Sequence, residues 1–327
     1  MDNVCHSLAG AAIAQAGFAR RLPRATLLGI IAANIPDVDA VTYLGADNAF
    51  AVSFRRGWTH GLPALIVWAI ALSLAFAWWA RRRPISPAGL AGADTAIGSD
   101  GGAAPRSWRA YLPLAAIAVV SHPSLDWLNN YGVRLLMPFS NEWFYGDTLF
   151  IVDPTLIGLF ALGWFASSRL LRAGSPRAEL AARAALTLAL VYIAAMKFMS
   201  ESSRAEVERR DGVRFSRPDL MVAPEPLSFT RRLVMQRTPD GITERRAVWN
   251  GTHAVLERAS AAEPTGVTPA LTAAIRATRD GERFLRWSRF PYFVRGAGAD
   301  SNTVFVGDAR YSSGATESWA GIRVPLK

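Results

Sequence analysis

The chain has 327 residues, 51% of them hydrophobic and 11 of them tryptophan, yet its mean hydropathy is only +0.16. That balance excludes a wholly membrane-embedded chain and an ordinary soluble one, and it fits a protein split between a membrane part and a soluble part. Lys and Arg outnumber Asp and Glu by 36 to 26. The arginines of the first two-thirds gather at the edges of apolar runs, so the excess reads as a topology signal and no nucleic-acid partner is expected.

Val4–Phe18 is a short candidate span. Asp2 stands where a signal peptide would be basic, and Arg20, Arg21 and Arg24 follow the apolar stretch, so a cleaved leader is not expected. Cys5 is the single cysteine, which excludes an intrachain disulfide. Ala25–Leu44 is a second candidate, interrupted by Pro36, Asp37 and Asp39 and therefore expected to be broken. Gly61–Ala80 carries no charge, is stopped by Arg81, Arg82 and Arg83, and is long enough to cross about 30 Å of hydrocarbon. The stretch 84–107, rich in Gly, Ala, Ser and Pro, reads as a flexible loop. Tyr111–Trp127 and Thr155–Ser168 are moderately apolar, and Ala184–Met199 is a clear span. No internal repeat is apparent.

From about Glu201 the chain turns charged. RRLVMQRTPDGITERRAVWNG predicts a hairpin around Pro239, Asp240 and Gly241. TPALTAAIRATRDGERFLRW predicts a helix with Thr268 as N-cap ahead of Pro269, and TVFVGDARY predicts a short strand. The expected fold class is mainly α: a polytopic transmembrane helical bundle over residues 1–200, followed by a small soluble α+β domain over residues 201–327.

The basic groups Arg20–Arg24, Arg81–Arg83 with Arg106 and Arg109, and Arg169–Arg183 occupy alternate connections. Assigned to the cytoplasm, they turn the connections 45–60 and 129–153, and everything after residue 200, outward. His6 then opens the first helix, Asp37 and Asp39 lie near the end of the second, His60 opens the third, and His122 and Asp126 lie near the end of the fourth. All six fall on one side of the membrane, although none of them entered the count of spans.

Residues four apart share a helical face, so His122 and Asp126 can enter one cavity; Asp37 and Asp39 can enter together if Pro36 opens the helix into an extended turn. Imidazole mixed with carboxylate suits zinc, manganese or iron. Three His and three Asp suffice for two ions sharing a carboxylate, an arrangement that activates water for phosphoester hydrolysis. Each residue alone has a plainer reading: a hydrogen-bonded pair for His122 and Asp126, a solvated helix end for Asp37 and Asp39, an interfacial ring beside Trp58 for His60, a solvated terminus for His6. Their common side, and the cost of burying ionisable groups in a membrane, favour the joint metal site. Arg56 is placed to neutralise a developing anion, and Asp39 and Asp147 are the carboxylates available for acid–base work. Asp153 before Pro154 reads as a helix cap, Cys5 as a small apolar helix residue, and His253 as structural.

The stretches VCHSLAGAAIA, NIPDVDAV, FRRGWTHG and SHPSLDWLNNYGVRLLMPFSNEWFYGDTLFIVDP resemble the YdjM-type family of predicted membrane-bound metal-dependent hydrolases, described as LexA-binding and associated with the bacterial inner membrane. The resemblance covers about residues 1–200. The family pattern, an early His, P-D-x-D, H-R-G-x-T-H and H-x-x-x-D followed by Y-G, falls on His6, Asp37, Asp39, His60, His122 and Asp126 as metal ligands. Arg55 stands where the family often has the first His of H-R-G-x-T-H; if that His is a ligand, this chain has a thinner site or another residue fills the place. The C-terminal part, with FLRWSRFPYF and FVGDARY, resembles tails of longer members.

The leading expectation is an integral inner-membrane hydrolase in which one or two divalent ions, zinc or manganese, activate water against an ester or phosphoester at the outer face. The expected partners are membrane lipid, an amphiphilic substrate and a protein recognised by the C-terminal domain. The alternative is a non-enzymatic membrane protein with a structural polar or metal cluster and a partner-binding soluble domain. A transporter fits less well, because the spans show no internal symmetry.

Overall fold

The computed structural model describes residues 1–45, 47–83, 107–298, 301–312 and 318–326; the loop expected over 84–107 lies almost wholly outside the described residues. The chain forms two compact units, one of residues 1–38 and 56–198, the other of residues 39–55 and 199–327.

The first unit is helical. α1 (Asn3–Gln15) is capped by the Asp2 carboxylate, which accepts from the backbone N–H groups of Val4 and Cys5. α2 (Ala25–Asn34) ends two residues before Pro36, which has no backbone N–H to continue the helical ladder. From there the chain tightens into a 3-10 helix (Ile35–Leu44) in place of the extended turn expected from the sequence. α4 (Leu62–Arg82) follows, then α5 (Trp108–Trp127), α6 (Pro154–Arg172) and α7 (Ala178–Asp211). Asp153 caps α6, its Oδ1 accepting from Leu156 N at 3.0 Å, ahead of Pro154.

Among the described residues four stretches are long and apolar enough to cross a membrane: Ala25–Leu44, Leu62–Arg82, Pro154–Arg172 and Ala178–Asp211. α5 packs against α1, α2 and α4. It buries Tyr111, Leu114, Ala115, Ala118 and Val119, in a core that takes Ala14 from α1, Ala19 and Leu22 from the turn after it, and Ala25, Leu28, Ala32 and Ala33 from α2. Small residues permit this closeness, because apolar burial does not drive helices together in lipid while tight packing does. The tightest point is Gly10 against Gly29, where a Cβ on Gly10 would lie 2.2 Å from the Gly29 carbonyl oxygen.

The second unit carries a four-stranded antiparallel sheet in the order β1 (Leu220–Pro224), β2 (Arg231–Thr238), β3 (Gly241–Trp249), β4 (Ala254–Leu256). The expected hairpin is β2–β3, in register from Arg231 opposite Val248 to Thr238 opposite Gly241. A second antiparallel sheet has the order β5 (Pro291–Arg295), β6 (Thr303–Asp308), β7 (Gly321–Pro325). The helix expected around TPALTAAIRATRDGERFLRW is two helices, α8 (Pro269–Arg276) and α9 (Arg279–Trp287). Thr268 caps the first, and Thr278 ends it by capping the next, its hydroxyl accepting from Gly281 N. α3 (Asn48–Phe54), from the segment 39–55, packs against α9.

Candidate metal centre

Four residues of the first unit, Asp37, His60, His122 and Asp126, bring donor atoms within 4.8 Å of one another, and all four are buried. They come from the 3-10 helix, the turn before α4 and the last two turns of α5. His122 and Asp126 meet because they are one helical turn apart on α5.

Each imidazole is turned inward by its outer nitrogen. His122 Nδ1 lies 2.6 Å from the carbonyl oxygen of Ala33. A carbonyl can only accept, so Nδ1 carries the proton and Nε2 presents its lone pair. Thr59 Oγ1 lies 2.9 Å from His60 Nδ1 and orients that ring; a hydroxyl both donates and accepts, so this contact sets the ring's direction and not its tautomer. The two Nε2 atoms therefore face each other at 3.1 Å.

The carboxylates complete a compact polyhedron. Asp126 Oδ2 stands 3.5 Å from His60 Nε2 and 3.4 Å from His122 Nε2. Asp37 Oδ1 stands 3.7 Å from each. A tetrahedral ion with bonds of about 2.0–2.1 Å needs donors roughly 3.3 Å apart, and the five separations that involve an imidazole nitrogen, 3.1–3.7 Å, bracket that value. Asp126 Oδ2 is buried and accepts no hydrogen bond from the described residues. Two imidazole nitrogens and two buried carboxylates converging on one point are hard and borderline donors of the kind that bind zinc or manganese, so the donor set fits a divalent ion.

The other oxygen of Asp126 has a separate duty. Arg56 Nη2 approaches Oδ1 at 3.0 Å, and the amino group of Met1 donates to the same atom. Arg56 is held in turn by Asn129 Oδ1 at 3.2 Å, by the Gly132 carbonyl at 3.3 Å and by the face of Tyr131, 4.6 Å from its guanidinium carbon. Its backbone is left-handed, with φ +52°, a conformation a non-glycine residue keeps only where its surroundings enforce it. Arg56 is thus the counter-ion of Asp126, a part the sequence did not suggest for it.

His6 stacks on His122, with ring centroids 3.8 Å apart, and its Nε2 lies 3.4 Å from Asp126 Oδ1. It borders the group of four without joining it. Asp37 and Asp39 separate for a geometric reason: at three residues per 3-10 turn, positions two apart diverge by about 120°. Asp39 belongs to the second unit, where Arg55 Nε is 3.5 Å from its carboxylate. Asp147 is buried with φ +49° and lies outside the group of four. Thr59, the Ala33 carbonyl, Asn129 and Tyr131 were not anticipated. Only Thr59, adjacent to His60, carried a signal in the sequence.

Fold and centre together define a helical membrane protein with a buried imidazole–carboxylate group able to hold a metal ion. The family model of the YdjM inner membrane protein matches residues 1–201, and the chain belongs to that family. No curated protein and no solved structure matches the chain.

Proposed function

We propose that this protein is a metal-dependent hydrolase with one principal divalent ion, zinc or manganese, acting on an ester or phosphoester of an amphiphilic substrate at the outer face of the inner membrane. The observation that carries the reading is the convergence of the Asp37, His60, His122 and Asp126 donors within 4.8 Å, with the imidazole nitrogens 3.1–3.7 Å from each other and from the carboxylates. A single ion is favoured over two because Asp126 Oδ1 is already engaged by Arg56 at 3.0 Å. An ion there supplies Lewis acidity and lowers the pKa of water.

The protein's own groups divide the work. His60, His122 and Asp126 are fully buried ligands, and the Asp37 side chain, the fourth, is 4% exposed and marks the side open to substrate. Catalytic sites keep such an open position, and closed four-ligand sites are structural. Arg56 keeps Asp126 ionised and fixes which oxygen it offers, and His6 holds the His122 ring by stacking. Asp147, a buried carboxylate of the same unit, remains for acid–base work, whereas Asp39 falls in the second unit. The pattern of Arg clusters supports an outward-facing C-terminal domain, which would take the protein partner.

The test is metal analysis of purified protein beside His122→Ala, with hydrolysis of phosphoester and carboxylester panels. Wild type carrying metal and hydrolysing a substrate in a chelator-sensitive way supports the proposal. Wild type that takes up no zinc or manganese on supplementation contradicts it.

A further inference from the structure

α7 runs unbroken from its apolar stretch, which ends at Met199, into the charged residues 200–211. Within the second unit, the sheet is fastened to this charged end of α7, residues 199–211. Arg232, itself buried, donates from Nε to Ser200 Oγ at 3.1 Å and from Nη1 to the Phe229 carbonyl at 2.9 Å. Arg217 pairs with Glu201 at 2.6 Å. The loop joining β1 to β2, residues 225–230, is therefore held level with the residue at which the apolar stretch of α7 gives way to charge.

That loop presents apolar side chains to its surroundings. Leu227 is 81% exposed and Phe229 is 54% exposed, with Pro226 exposed beside them. Leu227 has φ +59°, a left-handed backbone a leucine adopts at a cost, so its projection is enforced by the turn. Ser228 N donates to the Glu225 carbonyl and Arg231 N to Ser228 Oγ, which close the turn on itself. Its one acidic group, Glu225, is paired with Arg246 at 2.6 Å. An apolar, charge-silenced loop beside the end of a span, with Arg231 exposed at its base, has the make-up of a segment that enters the boundary between headgroups and acyl chains.

We propose that the β1–β2 loop inserts Leu227 and Phe229 into the same bilayer that α7 crosses, and so fixes the second unit against the membrane surface. The occupant is lipid. It does not depend on the metal centre or on which side of the membrane the unit faces.

The experiment uses the full-length protein in phosphatidylcholine–phosphatidylglycerol vesicles, with Leu227→Cys, Phe229→Cys and, at the opposite end of the sheet, Asp240→Cys, each labelled with an environment-sensitive fluorophore. Cys5 is buried, and unsubstituted protein measures any labelling there. The proposal expects label at 227 and 229 to be blue-shifted, quenched several-fold more by doxyl-labelled lipid than label at 240, and protected from aqueous iodide. Leu227→Cys alone behaving so, with Phe229→Cys merely disturbing the fold, still supports it. Equal iodide quenching at 227 and 240, in protein that retains its helical circular dichroism, overturns it; quenching of 227 only in samples forming dimers assigns the loop to a second copy and overturns it as well.

Discussion

Asp126→Asn isolates the dual duty of this carboxylate, because asparagine keeps the volume and removes the charge. In the structure Oδ2 faces His60 and His122 at 3.5 and 3.4 Å, and Oδ1 meets Arg56 at 3.0 Å, with Asp126 fully buried and the Arg56 side chain 6% exposed. The substitution leaves Arg56 buried without its counter-ion, which costs on the order of 3–5 kcal/mol for a pair this deep. It also removes an anionic ligand. A metal present at a thousand times its dissociation constant stabilises the fold by about 4 kcal/mol, so the variant loses that contribution too. The assay is thermal unfolding in detergent, with and without chelator, alongside metal content. Wild type should unfold at a lower temperature once chelated, while Asp126→Asn should start low, hold no metal and ignore chelator. A variant with wild-type metal content and an unchanged chelator shift would refute the division of labour between the two oxygens.

Gly10→Ala places a Cβ 2.2 Å from the Gly29 carbonyl, so α1 must move off α2 at a cost of about 1–3 kcal/mol; the melting temperature should fall. Asp153→Ala removes both the α6 cap and the acceptor for Tyr192 Oη at 2.8 Å, and should cost about 1–3 kcal/mol while leaving metal content at the wild-type level. In the second unit, burial pushes the Asp308 carboxyl up, but Arg310, paired with it at 2.8 Å, and Ser288 together hold it below the usual range. A depressed folded pKa stabilises the fold above the unfolded value of about 3.9, and that stabilisation is lost as pH falls through the folded value. Wild type should therefore lose stability on acidification below pH 4 more steeply than Asp308→Asn, which should be weaker at neutral pH.

Much of this was legible in the sequence where local rules act alone. The His122–Asp126 spacing, the Asp153 and Thr268 caps and the Pro239-Asp240-Gly241 turn depend only on neighbours a few residues away. Other features depend on packing. The charged continuation of α7 to Asp211 is helical in part because Arg204 reaches the Phe215 and Leu220 carbonyls and Arg245 pairs with Asp211, contacts the apolar count ignores. Pro36 marks the end of α2 but does not specify a 3-10 helix, and that choice decides which of Asp37 and Asp39 joins the centre. The Ala33 carbonyl that orients His122 is invisible in any sequence, since every residue has one. Arg56 reads as an anion binder until its partner, 70 residues further along the chain, is placed.

The central claim is that Asp37, His60, His122 and Asp126 hold one ion, and elemental analysis of the purified full-length protein tests it most directly. Close to one zinc or manganese per chain, falling to background in His122→Ala that keeps its helical content, is the predicted result. A wild-type protein that stays metal-free after supplementation, or a His122→Ala variant that retains its full complement, would contradict it.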